Sequence, residues 1–279
     1  MSKLLYFIAI FAVLWFAKRY GFWAASGILL LIILFTIWKK RAKLLTVLAS
    51  QAYFGKGDVQ KGEKYYKAAY NTGIMTADNK ISYSSFCLRE NRFEKGRRLL
   101  NEVINSSRTT TEEKIKAKHN LAVLIWKQGD LDEALRILEI VHKEMPTTST
   151  YGTLGVLYLE KAKRDSDYEF ISAFLVEAYD YNGDDRTIAD NLGEFYLMTK
   201  DYEKAKEIYD KLLKAELMTP MPYYNYGLVL KNIGDSEGAA EAFRKALTRR
   251  FTTVLTVTPE MIQEELDNLE KTNTNTSQE

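Results

Sequence analysis

The chain of 279 residues is short of cysteine, proline and histidine, and it lacks an excess of either charge. Its one thiol, Cys87, permits no internal disulfide and no multi-cysteine metal site, and it suits a reducing compartment. Lysine plus arginine number 39 against 37 aspartate plus glutamate. That spread charge offers no strongly basic face, so a nucleic-acid partner is not expected. Four prolines and 15 glycines are few enough to favour helices, and no stretch rich in glycine, proline or serine reads as a linker. What is abundant is apolar: 46% of residues are hydrophobic, sufficient for a large packed core.

The sharpest shift in composition lies at the start. Residues 4–17 and 22–38 are two nearly uninterrupted apolar runs separated by Lys18-Arg19-Tyr20-Gly21. As a helix the second run rises about 25 Å. Tyr20 and Lys39-Lys40-Arg41 flank it as interfacial anchors. The first run gives only about 21 Å and spans a bilayer by thinning it or by borrowing Ser2, Lys3 and Lys18. Residues 1–38 are therefore expected to form a membrane anchor of two transmembrane helices. A cleaved signal peptide is the rival, but no A-x-A-like site follows the first run cleanly. Lys39, Lys40, Arg41 and Lys43 outweigh Lys18 and Arg19, which places the rest of the chain on the cytoplasmic side of the cell membrane.

Beyond the anchor the sequence repeats itself. Ala122, Ile125, Gly129-Asp130, Ala134, Leu138, Val141 and Pro146 mark one copy. Leu192-Gly193, Tyr196, Asp201-Tyr202, Ala205, Tyr209 and Leu212 mark a second, and Gly227, Leu230, Gly234-Asp235, Ala239, Phe243 and Ala246 a third. Gly193 to Gly227 is 34 residues, and so is Ser50 to Ser84. The latter pair heads two weaker copies, one with Tyr53, Gly57-Asp58, Gly62, Tyr66 and Ala69, the other with Cys87, Phe93, Gly96, Leu100 and Val103. A sixth copy, with Leu154-Gly155 and Tyr158, has Ile171, Leu175 and Ala178 displaced by four residues, about one helical turn.

This pattern resembles the tetratricopeptide repeat (TPR). The resemblance covers roughly residues 44–252. It implies an all-α, right-handed superhelix of about six helix-turn-helix repeats, each unable to bury its apolar face alone. Small residues let paired helices approach, large ones fill between them, and the glycine-aspartate pairs suit the tight turns. Thr258-Pro259-Glu260 signals a helix start, and Met261, Ile262, Leu266 and Leu269 form a capping helix over the last open face. The array with its cap is expected over 44–271, and 272–279 as a disordered polar tail. A continuous helix from about Phe22 through Phe54 is expected to join anchor to array.

No catalytic constellation emerges. His119 and His142 fall in different helices of one repeat, and neither opens an H-E-x-x-H zinc motif. Gly57-Asp58-Val59-Gln60-Lys61-Gly62 has P-loop glycine spacing, but Glu63 stands where lysine must reach phosphate. Cys87 sits at a core-facing position and reads as a small buried hydrophobe. No enzyme activity, cofactor or metal is expected.

The resemblance implies binding instead, through a concave groove lined by the first helix of each repeat. Carried over residue by residue, the groove comprises Lys116, His119, Asn120, Val123, Trp126 and Lys127 in the third repeat. The fifth supplies Asp190, Asn191 and Glu194, and the sixth Tyr224, Asn225 and Leu228. The asparagines at 120, 191 and 225 either pair with an extended ligand's backbone or serve the repeat itself. Some TPR domains hold chaperone tails with a lysine and an asparagine four apart, but the corresponding positions here are Val47/Gln51, Ile81/Ser85, His119/Val123, Gly152/Val156, Asp190/Glu194 and Tyr224/Leu228, so that clamp is not expected. The expected activity is a membrane-anchored scaffold or adaptor that binds a protein or peptide segment at the cytoplasmic face, in membrane or envelope complex assembly. The alternative is a structural subunit of an integral membrane complex in which the transmembrane helices make the main contact.

Overall fold

The structure is a computed structural model and describes residues 11, 15, 18, 19, 21–251 and 255–276. Thirteen α-helices and no strand occur among the described residues. The chain divides into two compact units, Met1–Tyr83 and Ser84–Glu279.

The first unit is built on α1 (Phe22–Ser50), which passes through a π-helical turn (Gln51–Gly55) and packs on α2 (Val59–Asn71). The expected continuous helix is thus present, with a π turn at its end. Only the second half of α1 is packed: Ala42, Thr46 and Ala49 are buried, as are Ala52 and Tyr53 in the π turn. A Cβ at Gly62 would lie 2.9 Å from Tyr53 Cβ, so glycine there is what lets α2 close on the preceding segment. Asp58 accepts from the backbone N–H of Lys61 and starts α2. Tyr66 is fully buried, stacks on Tyr83 at 4.9 Å between ring centroids, and shares its hydroxyl with Ser50 Oγ (2.9 Å) and Ser82 Oγ (3.0 Å).

The first half of α1 has no buried residue among those described. Leu29, Leu30, Leu31, Ile33, Leu34, Phe35, Ile37 and Trp38 are all exposed, with Leu31 at 66%. Among the described residues no helix is long and apolar enough to cross a membrane. The expected transmembrane hairpin over residues 1–38 is therefore not supported. Residues 4–17 fall outside the described residues except for Phe11 and Trp15. The physical reason lies in α1 itself. Its apolar stretch gives only about 25 Å of rise before Lys39-Lys40-Arg41, and the helix then continues as packed array.

The second unit begins within α3 (Ala77–Arg89) and continues through α4 (Phe93–Ile104), α5 (Thr111–Lys127), α6 (Leu131–Glu144) and α7 (Thr148–Asp165). After a 3-10 turn (Glu169–Ile171) come α8 (Ser172–Asn182), α9 (Arg186–Met198), α10 (Tyr202–Leu212), α11 (Met221–Asn232), α12 (Ser236–Leu247) and α13 (Pro259–Thr276). It is an all-α, TPR-like superhelix of stacked helix pairs. In three of the pairs the second helix is started by the same device: Asp130, Asp201 and Asp235 each accept from the N–H three residues on, at 3.1, 3.4 and 2.9 Å. The residue before each aspartate is left-handed, glycine at 129 (φ 99°) and 234 (φ 88°) but Lys200 (φ 63°) in the fifth repeat.

The core alternates small against large. Ala122 and Ala134 face Leu138 and Val141, while Ala205 and Tyr209 pack with Val229. Ala239, Phe243 and Ala246 pack with Ile262, Leu266 and Leu269 of α13, the capping helix. The four-residue displacement in the fourth repeat is absorbed by α7, which runs more than a turn longer than α9 and α11, ends at left-handed Ser166 and hands over through the 3-10 turn. α13 also extends past the expected boundary at Lys271, as far as Thr276. Main-chain bonds between successive turns need no packing partner, so an established helix runs on into polar sequence.

Candidate functional site

The first helix of each repeat in the second unit contributes one wall of a common cavity of about 420 Å³. α3 gives Ser85, Leu88 and Arg89; α5 gives Asn120, Val123, Trp126 and Lys127; α7 gives Thr153, Val156, Leu159 and Glu160. α9 adds Arg186, Thr187, Asp190, Asn191 and Glu194, and Thr219, Met221, Pro222, Leu255 and Thr256 close one end. The helical period explains the convergence: Asn120, Val123 and Lys127 lie on one face of α5, three and four residues apart, and the second helices pack behind.

Seven of the twelve residues expected in the groove line this cavity: Asn120, Val123, Trp126, Lys127, Asp190, Asn191 and Glu194. The other five lie elsewhere. Lys116 is exposed and pairs with Glu112 on its own helix at 2.6 Å. His119 Nε2 is 3.0 Å from Thr153 Oγ1. Tyr224 leans on Phe243 with ring centroids 5.8 Å apart, Leu228 packs against the last core cluster, and Asn225 is buried. Leu88, Arg89, Thr153, Val156, Leu159, Glu160 and Arg186 were missed. The signal was available: one 34-residue period separates Thr153, Val156 and Glu160 from Thr187, Asp190 and Glu194, but the displaced fourth repeat hides it.

Trp126 is half-buried. It packs against the cluster of Ala122, Leu138 and Leu157, and the Lys127 ammonium lies 3.7 Å from its ring centroid. That contact is a cation–π geometry. Burial lowers the Lys127 pKa, and the nearby Glu160 carboxylate opposes the shift. Burial likewise lowers the pKa of His119, with a backbone hydrogen bond to Ser149 opposing it. The asparagines are committed to the fold: Asn191 Nδ2 donates to Gly152 O across the repeat boundary at 2.8 Å, and Asn225 Nδ2 donates to Asp190 Oδ1 at 3.3 Å. Asn120 Nδ2 donates to Lys116 O on its own helix.

The far wall carries a polar network. Lys163 bonds Glu194 at 2.6 Å and Glu160 at 3.0 Å. Burial opposes its charge, but Glu194 and Glu160 more than offset it and push its pKa up to about 12. Asp190 Oδ1 accepts from Tyr209 Oη at 3.0 Å as well as from Asn225. Its surroundings still disfavour ionisation. Burial, reinforced by the Glu194 charge, pushes its pKa up to about 7, against the pull of Tyr209, Asn225 and Lys163. Among the described residues no three histidine, cysteine or acidic side chains come together as a metal site.

The fold defines a class, the all-α helical-repeat array. The family model for the tetratricopeptide repeat matches residues 188–217 and 222–253, the fifth and sixth repeats, and so supports the TPR family. Among solved structures, a thermophilic TPR protein of Thermus thermophilus is similar over 70% of this chain and 98% of its own, with 15% identity and a TM-score of 0.55. A tetratricopeptide repeat protein from Parabacteroides merdae covers 82% of this chain and 98% of its own at 16% identity, with a TM-score of 0.47. Likeness at such identities is likeness of fold. No curated protein matches the chain.

Proposed function

We propose that this chain is a membrane-attached, non-catalytic scaffold that binds an extended or helical protein segment in the groove of its second unit, on the cytoplasmic side of a membrane, in the assembly of a membrane or envelope complex. The observation that carries the binding role is the cavity itself. It holds a half-buried tryptophan beside aliphatic side chains, rimmed by charged groups of both signs. Buried aromatic anchors with polar rims are where interface energy concentrates.

Membrane attachment is supported by the first half of α1, where most apolar side chains from Leu29 to Trp38 are exposed. An exposed apolar surface of that extent calls for a partner. Lipid fits it, because Lys39, Lys40, Arg41 and Lys43 follow directly and no aspartate or glutamate precedes Asp58. The same exposed face favours one second reading, a structural subunit whose α1 grips another membrane protein. Deletion of residues 1–38 separates the two, since a groove-based scaffold keeps its partner after the deletion and an α1-based subunit loses it.

A photo-crosslinking amino acid placed in cells at Val123 or Val156 tests the groove. Adducts should form there and not at Ile140, an exposed residue on a second helix, and they should weaken with Trp126→Ala. Adducts from Ile140 alone would move the binding face off the groove.

A further inference from the structure

The groove has one group whose electrostatics are unfinished. Three carboxylates, Glu160, Asp190 and Glu194, line the same cavity. The cation among them, Lys163, is held between Glu160 and Glu194 at 3.0 and 2.6 Å. Asp190 receives only neutral donors, the Tyr209 hydroxyl and the Asn225 amide, and both go to Oδ1. Arg186 stands one turn earlier on the same helix but is exposed and makes no ion pair with Asp190. A solvated arginine needs no partner. A partly buried carboxylate whose donors are all neutral does favour one, because neutral hydrogen bonds alone do not offset the desolvation of its charge.

We propose that Asp190 is the docking point for a cationic side chain, lysine or arginine, of the protein segment bound in the groove. The segment brings the missing positive charge to Oδ2, while its apolar neighbours contact Trp126, Val123 and Val156. The assignment rests on the groove reading above and narrows it from a protein segment of any polarity to one with a basic residue among apolar ones. The groups facing Asp190 are Glu194 on its own helix, Lys163 on α7, Tyr209 on α10 and Asn225 on α11. Of these, Lys163 is held charged by its two acids and Tyr209 is held neutral by burial. At Asp190, burial and the neighbouring Glu194 charge raise the carboxyl's hold on its proton toward neutral pH. Arrival of a ligand cation favours the carboxylate, so binding expels a proton.

The test uses the full chain in detergent, screened against phage-displayed random 12-residue peptides, with the best peptide then measured by calorimetry at pH 7 in buffers of different ionisation enthalpy. The expected result is enrichment of a lysine or arginine at one position and release of up to about half a proton per peptide bound. Asp190→Asn keeps both acceptor contacts of Oδ1. It should erase the basic preference, abolish proton release and weaken the selected peptide about tenfold or more. Circular dichroism confirms that this variant is folded, and the wild-type proton release decides the matter if it is not. Enriched peptides without a basic position, or proton release that survives in folded Asp190→Asn, overturn the assignment while leaving the groove in place. A screen that enriches no peptide overturns the groove reading and this assignment with it.

Discussion

A Cβ built on Gly227 would lie 2.5 Å from Phe243 Cε1 and 2.6 Å from Cδ1, inside a ring that is fully buried and has no room to retreat. Gly227→Ala should therefore cost about 1–3 kcal/mol, the usual penalty of overpacking a filled core, and thermal unfolding of the folded variant reads it directly. Lys200 makes the opposite case. It holds φ 63° at the turn position where Gly129 and Gly234 serve the third and sixth repeats, so Lys200→Gly relieves a left-handed side chain and should stabilise by roughly 0.5–1 kcal/mol. Asp190 adds a pH signature. Its proton leaves the unfolded chain near the ordinary carboxylate value of 3.8, but in the folded chain it stays until about 7. The stability this group contributes is therefore complete below about 3.8 and lost as pH rises through about 7. Asp190→Asn should leave unfolding at pH 4 nearly unchanged and raise the melting temperature at pH 8, where it removes a penalty on the order of a few kcal/mol. No difference between the two pH values would mean that the carboxyl is well solvated.

At the scale of elements, the repeats were legible because each carries its own punctuation. The small residues at 122, 193 and 227, the aspartate caps at 130, 201 and 235, and the large residues at 138, 209 and 243 keep the same spacing within each copy and stand in the structure at helix contacts and helix starts. The groove was legible in part. A period shows which face of a helix looks inward, but it does not show what a polar side chain on that face bonds to. By sequence Asn191 and Asn225 stand equally as ligand contacts and as structural groups; in the fold they tie adjacent repeats. Glu160 and Val156 were hidden because the extra turn falls in their own helix. The cap is a clearer lesson. Ile262, Leu266 and Leu269 of α13 complete the cluster around Phe243 and Ala246, and Lys231 pairs with Glu265 at 2.6 Å. Deleting residues 255–279 uncovers that face, as loss of a terminal cap does in any stacked array. A lowered melting temperature and concentration-dependent light scattering are the expected readings.

Across the whole molecule, charge and apolar surface are distributed unevenly in a way that no single repeat shows. Residues 1–57 carry Lys3, Lys18, Arg19, Lys39, Lys40, Arg41, Lys43 and Lys56 with no acidic residue, so the near-neutral total conceals a cationic first segment and an acidic remainder. The cations lie where the exposed apolar stretch of α1 ends: Arg41 sits over the Trp38 ring at 4.6 Å and Lys39 over the Phe35 ring at 5.0 Å. Apolar side chains inserted into acyl chains and cations held at the headgroups reinforce one another, and each juxtamembrane cation adds about 1 kcal/mol at an anionic surface. The full chain should float with liposomes containing anionic phospholipid. A chain beginning at residue 42 retains Ala42, Thr46 and Ala49 for packing on α2 but lacks the exposed stretch, and it should stay in the dense fractions while remaining mostly helical by circular dichroism. Replacing Lys39, Lys40, Arg41 and Lys43 by glutamine separates the two contributions, since it should reduce the preference for anionic over neutral liposomes while leaving attachment that salt does not reverse. If the full chain fails to float with either kind of liposome, the apolar face of α1 is covered by protein, and the structural-subunit reading takes precedence over lipid attachment.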